Sequence, residues 1–227
     1  MEVDGLHNVP TNGPAILAPN HLSFCDSVFI PAALDRRVWA IGKGEYMDDW
    51  KTKHIFGAFG MIPVDRSGGQ AAQVALDTAA KVLDAGQLFL IYPEGTRSRS
   101  GNLHKGRTGP ARLAARCDAP IIPVGHIGTI DIQPPDYPLM RPFKKLTLRF
   151  GEPMHIADHG SVDDPRTMRT FMDAVMFQIA ELSEQKYVHE YANAPTKPEP
   201  EVVETGPPPA QRPTISRPPR RKPAVVA

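Results

Sequence analysis

The chain of 227 residues lacks the features of a secreted, membrane-spanning or nucleic-acid-coating protein. Its two cysteines, Cys25 and Cys117, are too few for a disulfide framework and form no C-x-x-C pair, which fits a reducing compartment. No run of about 18 apolar residues is present, and residues 1–10 show no basic region followed by an apolar run. We therefore expect neither a spanning helix nor a signal peptide. The formal net charge is only +1, whereas a protein that coats nucleic acid is strongly basic.

Proline is the residue type in excess, and its distribution divides the chain. Ten of the 25 prolines lie in Ala192–Ala227, a stretch without aromatic residues or apolar periodicity. Such a stretch cannot bury enough apolar surface to fold by itself. We therefore predict a folded domain over residues 1–191 and a disordered, proline-rich tail over residues 192–227.

The charges divide in the same way. The tail carries six basic and three acidic residues, which leaves 20 basic against 22 acidic residues in the domain. All five charged residues within Thr205–Ala227 are basic. A cluster of this kind more often solvates a disordered end than binds a partner, and recruitment to an anionic membrane is the alternative.

Short apolar runs alternate with longer helical patterns along the domain. The predicted buried strands are Ala15–Ala18, Val38–Ile41, Met61–Val64, Leu88–Tyr92, Ile121–Val124 and Leu146–Phe150. Helical spacing predicts helices over Gly69–Ala85 and Arg107–Arg116, and a third that begins after a capping Asp164 with Pro165 in its first position. Strands that alternate with helices indicate an α/β fold.

The first predicted strand ends in a polar segment, Asn20–Asp26, that is suited to acid–base chemistry. Ligands of open α/β sheets gather where strands end and loops begin. If Ser23 caps a helix, His21 lies just before that helix and Asp26 lies about one turn inside it. Asp26 would then accept a hydrogen bond from His21 Nδ1 and leave Nε2 as a proton acceptor. The alternative is a capping serine beside a structural histidine, and this pair alone does not decide between them.

The fourth predicted strand ends in a second unusual segment, Tyr92–Gly101. Gly95 allows close approach of the backbone, Thr96 and Ser98 supply hydroxyl groups, and Arg97 offers a planar fork suited to a phosphate or a carboxylate. A loop of this composition is also compatible with a solvated turn. A third segment, Gly60–Arg66, places another arginine at a strand end, and a basic set, Lys105-Gly106-Arg107, follows shortly after the loop that contains Glu94.

Together these segments resemble the motifs of the glycerolipid acyltransferase family, specifically the 1-acyl-sn-glycerol-3-phosphate (lysophosphatidate) acyltransferases. The N-H-x-x-x-x-D motif of that family resembles Asn20–Asp26, and its second motif resembles Gly60–Arg66. Its P-E-G-T-R-S motif matches Pro93–Ser98 without a mismatch, and its proline-containing apolar motif resembles Ala119–Val124. All four occur in order, which makes the resemblance far more specific than any one of them.

The resemblance implies a mixed, mostly parallel sheet flanked by helices. It also implies an enzyme that moves a fatty acyl group from acyl-CoA, or from acyl carrier protein, to the hydroxyl of 1-acyl-sn-glycerol 3-phosphate to give phosphatidic acid. His21 and Asp26 are the implied catalytic pair. The residues implied at the acceptor are Arg66, Glu94, Gly95, Thr96, Arg97 and Lys105. Glycerol 3-phosphate or another lysophospholipid as acceptor, and a non-catalytic lipid-binding homologue, are the alternatives.

The expected mechanism is direct attack of the acceptor hydroxyl on the thioester, with His21 as general base. Backbone N–H groups near Gly95 are candidates for stabilising the oxyanion. No metal and no cofactor beyond the thioester co-substrate is expected.

Other chemistries have weaker support in the sequence. A serine hydrolase would pair the same histidine and aspartate with Ser98, but no G-x-S-x-G motif is present. Gly42-Lys43-Gly44 lacks the pattern of a phosphate-binding loop. His155 and His159 lack further metal ligands at suitable spacing and are more typical of loop histidines.

The expected partners are a lysophospholipid, an acyl thioester and a membrane surface, with no role for nucleic acid. Members of the family usually carry a helical or membrane-embedded segment before the first strand, whereas this chain begins almost at that strand. Either the protein is peripheral, or its natural start is longer than the one given. Because the acceptor and the product are bilayer amphiphiles and no spanning helix is expected, we expect a peripheral protein at the cytoplasmic face of the cell membrane.

Overall fold

The fold is described by a computed structural model over residues 1–43, 60–64, 71–134, 137, 139–141 and 143–192. The predicted tail, apart from Ala192, lies outside these residues, as do Arg66 and the first two residues of the helix predicted from Gly69. In the described part of the chain, no helix is both long and apolar enough to cross a membrane.

The strands within these residues form one large sheet and one small one. They are β1 (Glu2–Asp4), β2 (Ala15–Pro19), β3 (Val38–Lys43), β4 (Met61–Val64), β5 (Leu88–Leu90), β6 (Leu103–His104), β7 (Ile121–Ile127), β8 (Thr147–Phe150) and β9 (Tyr187–Val188). The large sheet has the order β1-β8-β7-β2-β5-β3-β4, and β6 pairs with β9. Pairing is parallel throughout except between β7 and β8. The expectation of a mixed, mostly parallel sheet is confirmed.

Helices cover both faces of the large sheet. They are α1 (Asp26–Ala33), α2 (Ala71–Asp84), α3 (Gly109–Cys117), the single turn α4 (Thr129–Ile132) and α5 (Pro165–Ser183), with short 3-10 helices at Leu6–Asn8 and Ile156–His159. All five residues of β2 are buried, because alternate side chains enter apolar clusters on opposite sides of the sheet. Ile16 packs with residues of α2, α3 and α5, whereas Leu17 packs with Ile30 of α1 and Leu148 of β8.

The last helix follows its prediction closely. Asp164 accepts a hydrogen bond from the Arg166 N–H at 2.8 Å, and Pro165 takes the first helical position. The methionine-containing stripe of α5 is core, with Met172 and Met176 fully buried. The helix lies directly on β7, where a Cβ on Gly125 would clash with the main chain of Leu182 in α5.

The ends of several elements differ from the predictions for identifiable reasons. β5 ends at Leu90 instead of Tyr92, because the chain turns there and the Gly95 N–H donates to the Tyr92 carbonyl oxygen at 3.1 Å. β7 continues past Val124 to Ile127, because antiparallel pairing with β8 extends along it. β3 likewise runs on to Lys43, β8 starts at Thr147, and α3 begins at Gly109 instead of Arg107. The cysteines Cys25 and Cys117 are both free.

Candidate active site

The candidate site lies at the edge of the sheet where the parallel strands β7, β2 and β5 end. These strands are neighbours, so the loops that follow β2 and β5 leave the sheet side by side. Two hydrogen bonds join the loops: the His21 N–H donates to Glu94 Oε1 at 3.2 Å, and the Ser98 N–H donates to the His21 carbonyl oxygen at 2.7 Å. The structure therefore brings the two polar strand-end segments together in one site.

The side chain of His21 pairs with Asp26 as the spacing predicts. His21 Nδ1 lies 3.0 Å from Asp26 Oδ2. Because an ionised carboxylate can only accept, Nδ1 carries the proton in this pair and Nε2 keeps its lone pair. The His21 side chain is 15% exposed and that of Asp26 is fully buried, and no described residue hydrogen-bonds Nε2. The imidazole thus presents an unengaged proton acceptor to the site.

The local structure around Asp26 differs from the prediction, because Ser23 does not cap the helix. α1 begins at Asp26 itself, after Cys25, and no side chain caps it. The Ser23 hydroxyl instead donates to the Gln133 carbonyl oxygen at 2.7 Å. Asp26 Oδ2 accepts the N–H groups of Leu22 at 2.7 Å and Ser23 at 2.8 Å. The carboxylate therefore folds back over the preceding turn and satisfies N–H groups that no helix engages.

Asp26 stays ionised despite its burial. Burial alone would raise its pKa, but the buried His126, the His21 ring and the Ser23 N–H together hold the pKa below its ordinary value. The pKa of His126 is lowered, chiefly by burial. A charged Asp26 is the form that keeps the proton of its partner on Nδ1.

Tyr92 holds the His21 ring from one face. The two ring centroids lie 3.7 Å apart with planes inclined by 15°, and the Tyr92 hydroxyl lies 2.8 Å from Ser27 Oγ on α1. Burial raises the pKa of Tyr92 well above its ordinary value, so the phenol is neutral at physiological pH. Tyr92 therefore fixes the plane of the imidazole without adding a charge.

Glu94 is a buried link between the two loops. Its Oε1 accepts from the His21 N–H, and its Oε2 accepts from the His104 N–H of β6 at 3.0 Å. Burial raises the pKa of Glu94 to about 7, although both N–H bonds oppose that rise. Both carboxylate oxygens are thus directed at main-chain groups of the protein.

Gly95 forms the turn of the Pro93–Ser98 segment. Its φ of 76° lies in the left-handed region that favours glycine, and a Cβ there would lie 3.0 Å from Arg107 Nε. The Gly95 N–H donates to the Tyr92 carbonyl oxygen, and the Ser98 N–H is taken by His21. These two main-chain N–H groups already have protein acceptors and are not available to an oxyanion. The remaining candidates for stabilising the oxyanion in this turn are the main-chain N–H groups of Thr96 and Arg97.

The basic residues expected at the acceptor differ in how far the protein engages them. Arg97 is half-buried beside the site, and its guanidinium has no hydrogen-bond or ion-pair partner among the described residues. Lys105 Nζ instead lies 3.1 Å from His189 Nε2 in the segment after β9. Arg66 lies outside the described residues.

The alternative sites gain no support from the described residues. Gly42 and Lys43 belong to β3, and Gly44 lies outside those residues. The Ser98 hydroxyl contacts Ser100 Oγ at 3.3 Å, and no described hydrogen bond joins it to the imidazole of the candidate pair. Across the part of the chain that the structure describes, no group of three or more His, Cys, Asp or Glu side chains is arranged to hold a metal.

Sequence reasoning missed a buried histidine, His126, beside the pair. The His126 N–H donates to Asn20 Oδ1 at 2.7 Å, and Asn20 Nδ2 donates back to the His126 carbonyl oxygen at 3.1 Å. The side chain of Asn20, which precedes His21, thereby ties the end of β2 to β7. The available signal was a polar residue at the end of an otherwise apolar strand.

Comparison with known proteins gives the family. A family model described as Acyltransferase matches residues 1–127, more than half of the chain. The chain belongs to the acyltransferase family. The resemblance drawn from the four motifs is confirmed at that level.

Individual relatives of this acyltransferase are distant, and the match covers part of each. The 1-acyl-sn-glycerol-3-phosphate acyltransferase LPAT1, chloroplastic, of Arabidopsis thaliana is 27% identical over 135 residues, 59% of this chain and 38% of that protein. The 1-acyl-sn-glycerol-3-phosphate acyltransferase alpha of Homo sapiens is 29% identical over 125 residues, 55% of this chain and 44% of that protein. The match with these curated relatives thus spans less than half of their length.

A solved structure shows the same fold. The 1-acyl-sn-glycerophosphate (LPA) acyltransferase PlsC of Thermotoga maritima superposes with a TM-score of 0.64 and 24% sequence identity. The superposition covers 80% of this chain and 71% of that one. The α/β architecture of this acyltransferase is therefore shared with PlsC.

Proposed function

We propose that this protein transfers a fatty acyl group from acyl-CoA or acyl carrier protein to the hydroxyl of 1-acyl-sn-glycerol 3-phosphate, giving phosphatidic acid. The observation that carries the proposal is the His21–Asp26 pair at the strand end, with Nδ1 and Oδ2 3.0 Å apart and Nε2 unengaged among the described residues. The family match and the names of the relatives support the same chemistry.

The pair acts on the acceptor hydroxyl as a general base. An alcohol has a pKa far above neutrality, so its attack on a thioester is accelerated when His21 Nε2 takes the proton during attack. Asp26 holds the reactive tautomer and stabilises the imidazolium that forms. Positioned bases of this kind contribute about 10²–10⁴ in rate.

Transfer is direct, without an acyl-enzyme. The acceptor oxygen forms a bond to the acyl carbon, the carbon–sulfur bond breaks, and the leaving thiolate receives the proton that Nε2 carries. Ser23, the hydroxyl-bearing residue between His21 and Asp26 in the sequence, donates its hydroxyl hydrogen bond to the Gln133 carbonyl oxygen and so is not poised as a nucleophile. During this exchange Tyr92 stacks on the imidazole, and Glu94 holds the main chain of His21.

The acceptor phosphate binds at the loop after β5. Arg97 offers two parallel N–H donors there, and Thr96 offers a hydroxyl group. Arg97 suits this role because no described residue neutralises it and its fork matches a phosphate. Gly95 lets the acceptor approach the backbone of the turn. Glu94 contributes by holding the loop against His21, Arg66 would add a second cation, and Lys105 would join them after leaving His189.

A panel of substrates tests the proposal. Purified full-length protein is given acyl-CoA or acyl carrier protein thioester with lysophosphatidate, glycerol 3-phosphate, a phosphate-free monoacylglycerol or no acceptor, and free thiol and ester product are measured. Thiol release is expected only with an acceptor, fastest with lysophosphatidate and in step with the formation of phosphatidic acid. No release with any pair would indicate a lipid-binding homologue, and equal release without acceptor would indicate a thioesterase.

A further inference from the structure

The exposed apolar side chains of the domain are concentrated in one segment. Ten large apolar side chains are exposed among the described residues, and four of them lie between positions 137 and 143: Tyr137, Leu139, Met140 and Phe143. Leu139 is 69% exposed and Phe143 is 102% exposed, the highest values in this set. Single exposed apolar residues are ordinary in soluble proteins, whereas a cluster marks an interaction surface.

Basic side chains are interleaved with this apolar cluster. Arg141, Lys144 and Lys145 lie within or directly after it, and Asp136 is the one acidic residue in the sequence from Gln133 to Leu146. The segment is thus net +2 in a domain that is acidic overall. The Arg141 guanidinium lies 5.4 Å from the centroid of the Tyr137 ring, an aromatic–cation pair suited to a headgroup region. Apolar side chains flanked by cations complement the boundary between anionic headgroups and acyl chains.

The same segment is bonded to the loop that holds the candidate base. The Ser23 hydroxyl, two residues beyond His21, donates to the Gln133 carbonyl oxygen, and Gln133 Nε2 donates to the Tyr137 carbonyl oxygen at 3.1 Å. The Arg141 N–H donates to the Ile132 carbonyl oxygen of α4 at 2.7 Å. Because α4 follows the end of β7, the segment leaves the sheet at the edge where His21 lies.

We propose that this segment, Tyr137–Lys145, is the surface by which the domain docks on an anionic lipid bilayer. Leu139, Met140 and Phe143 enter the acyl boundary, and the cations contact lipid phosphates. Docking in this orientation brings the His21 end of the sheet to the bilayer, where a lysolipid acceptor resides. That last consequence rests on the proposed function, whereas docking itself does not.

Vesicle sedimentation of the full-length protein tests the proposal. The probes are phosphatidylcholine vesicles and vesicles of phosphatidylcholine mixed with phosphatidylglycerol. The double variant Leu139→Ser/Phe143→Ser is expected to bind the anionic vesicles at least about tenfold more weakly than wild type. The matched control is Leu6→Ser/Phe177→Ser, which removes an exposed leucine and an exposed phenylalanine elsewhere and should bind as wild type does.

A charge variant separates the two contributions. Lys144→Gln/Lys145→Gln should weaken binding to the anionic vesicles only, and high salt should abolish the difference from wild type. The proposal is overturned if Leu139→Ser/Phe143→Ser sediments like wild type, or if the control loses binding equally. It is also overturned if Leu139→Ser/Phe143→Ser changes the elution volume of the protein in size-exclusion chromatography without vesicles. The segment Tyr137–Lys145 would then form a contact between protein molecules.

An activity measurement keeps this proposal distinct from the proposed function. Turnover on detergent-dispersed acceptor should be the same in wild type and in Leu139→Ser/Phe143→Ser, because neither residue belongs to the candidate site. Acyl transfer that falls with the loop variant in detergent would overturn the docking role and assign the segment to the site. If wild type shows no acyl transfer at all, the proposed function fails, and the vesicle comparison still decides the docking surface.

Discussion

The loops that follow β2 and β5 lie side by side, yet the protein treats their polar groups differently. In the first loop, the main-chain N–H, the carbonyl oxygen and Nδ1 of His21 all have partners, and Tyr92 covers one face of its ring. In the second loop, no described residue pairs with the Arg97 guanidinium. His21, the proposed base, is thus held from several sides, whereas Arg97, the proposed phosphate ligand, has no such support among the described residues.

The largest effect on acyl transfer is expected from removing the His21 imidazole. His21→Ala should lower acyl transfer by about a thousandfold or more, and Asp26→Asn should lower it severely because Nδ1 loses its carboxylate partner. Turnover of purified variants measures this, with circular dichroism to verify the fold. His155→Ala, at a histidine in the loop before the second 3-10 helix, is the matched control and should leave turnover unchanged. Turnover by His21→Ala within tenfold of wild type would show that His21 is not the general base.

The next effect concerns Glu94, which joins the two loops. Its pKa is raised by burial to about 7 from an ordinary 4.5, so its contribution to stability is complete below pH 4.5 and is lost as the pH rises through 7. Relative to Glu94→Gln, the free energy of unfolding of wild type should therefore fall by about 3 kcal/mol between pH 4 and pH 8.

Urea unfolding at several pH values measures this difference. Glu152→Gln, at an exposed glutamate, is the control and should show no such trend. A constant difference between Glu94→Gln and wild type across this range would mean that Glu94 keeps an ordinary pKa and that the link between the loops is open to solvent.

A smaller effect on acyl transfer is expected from changing the Arg97 guanidinium. Arg97→Lys keeps the charge but loses the fork, so the KM for a phosphate-bearing acceptor should rise by about tenfold while the KM for the acyl thioester changes little. Arg112→Lys, at an exposed arginine of α3, is the control. If the KM for the donor moves instead, Arg97 belongs to the donor site and the assignment is reversed.

The smallest effect is expected from the tail, which carries +5 over Thr205–Ala227. Each basic residue near an anionic surface is worth at most about 1 kcal/mol, and less when it is mobile or screened by salt. Deleting Ala192–Ala227 should leave the fold and detergent turnover intact and weaken binding to anionic vesicles at low salt. Equal sedimentation with and without the tail would contradict this contribution and leave docking to the segment Tyr137–Lys145.

The elements that could be predicted from the sequence are those whose signals are local. Asp164, Pro165 and the apolar stripe that follows them define the start and the buried face of α5. The His21–Asp26 contact was predicted correctly from the spacing of the two residues, although the helix cap assumed at Ser23 is wrong. The four motifs also indicate the family, because each is a short run of residues and their order is visible along the chain.

The features that were missed depend on which strands become neighbours. β1 contains one apolar residue, Val3, and exists because that residue aligns with Leu148 far along the chain. The stacking of Tyr92 on His21, the bridge made by Glu94 and the burial of His126 all follow from the strand order β7-β2-β5. Ser23 was predicted to cap a helix because its actual hydrogen-bond partner, the Gln133 carbonyl oxygen, is far away in the sequence and leaves no local signal.

In the proposed reaction, His21 takes the proton of the acceptor hydroxyl, and the acyl group never resides on the protein. Full-length enzyme is mixed with an excess of radiolabelled acyl thioester, with and without lysophosphatidate, and quenched in acid within a single turnover. No label is expected on the protein in either case, and thiol release and labelled phosphatidic acid should appear together only when the acceptor is present. Acid-stable label on the protein, formed without acceptor and passed to lysophosphatidate when it is added, would show that transfer proceeds through an acyl-enzyme.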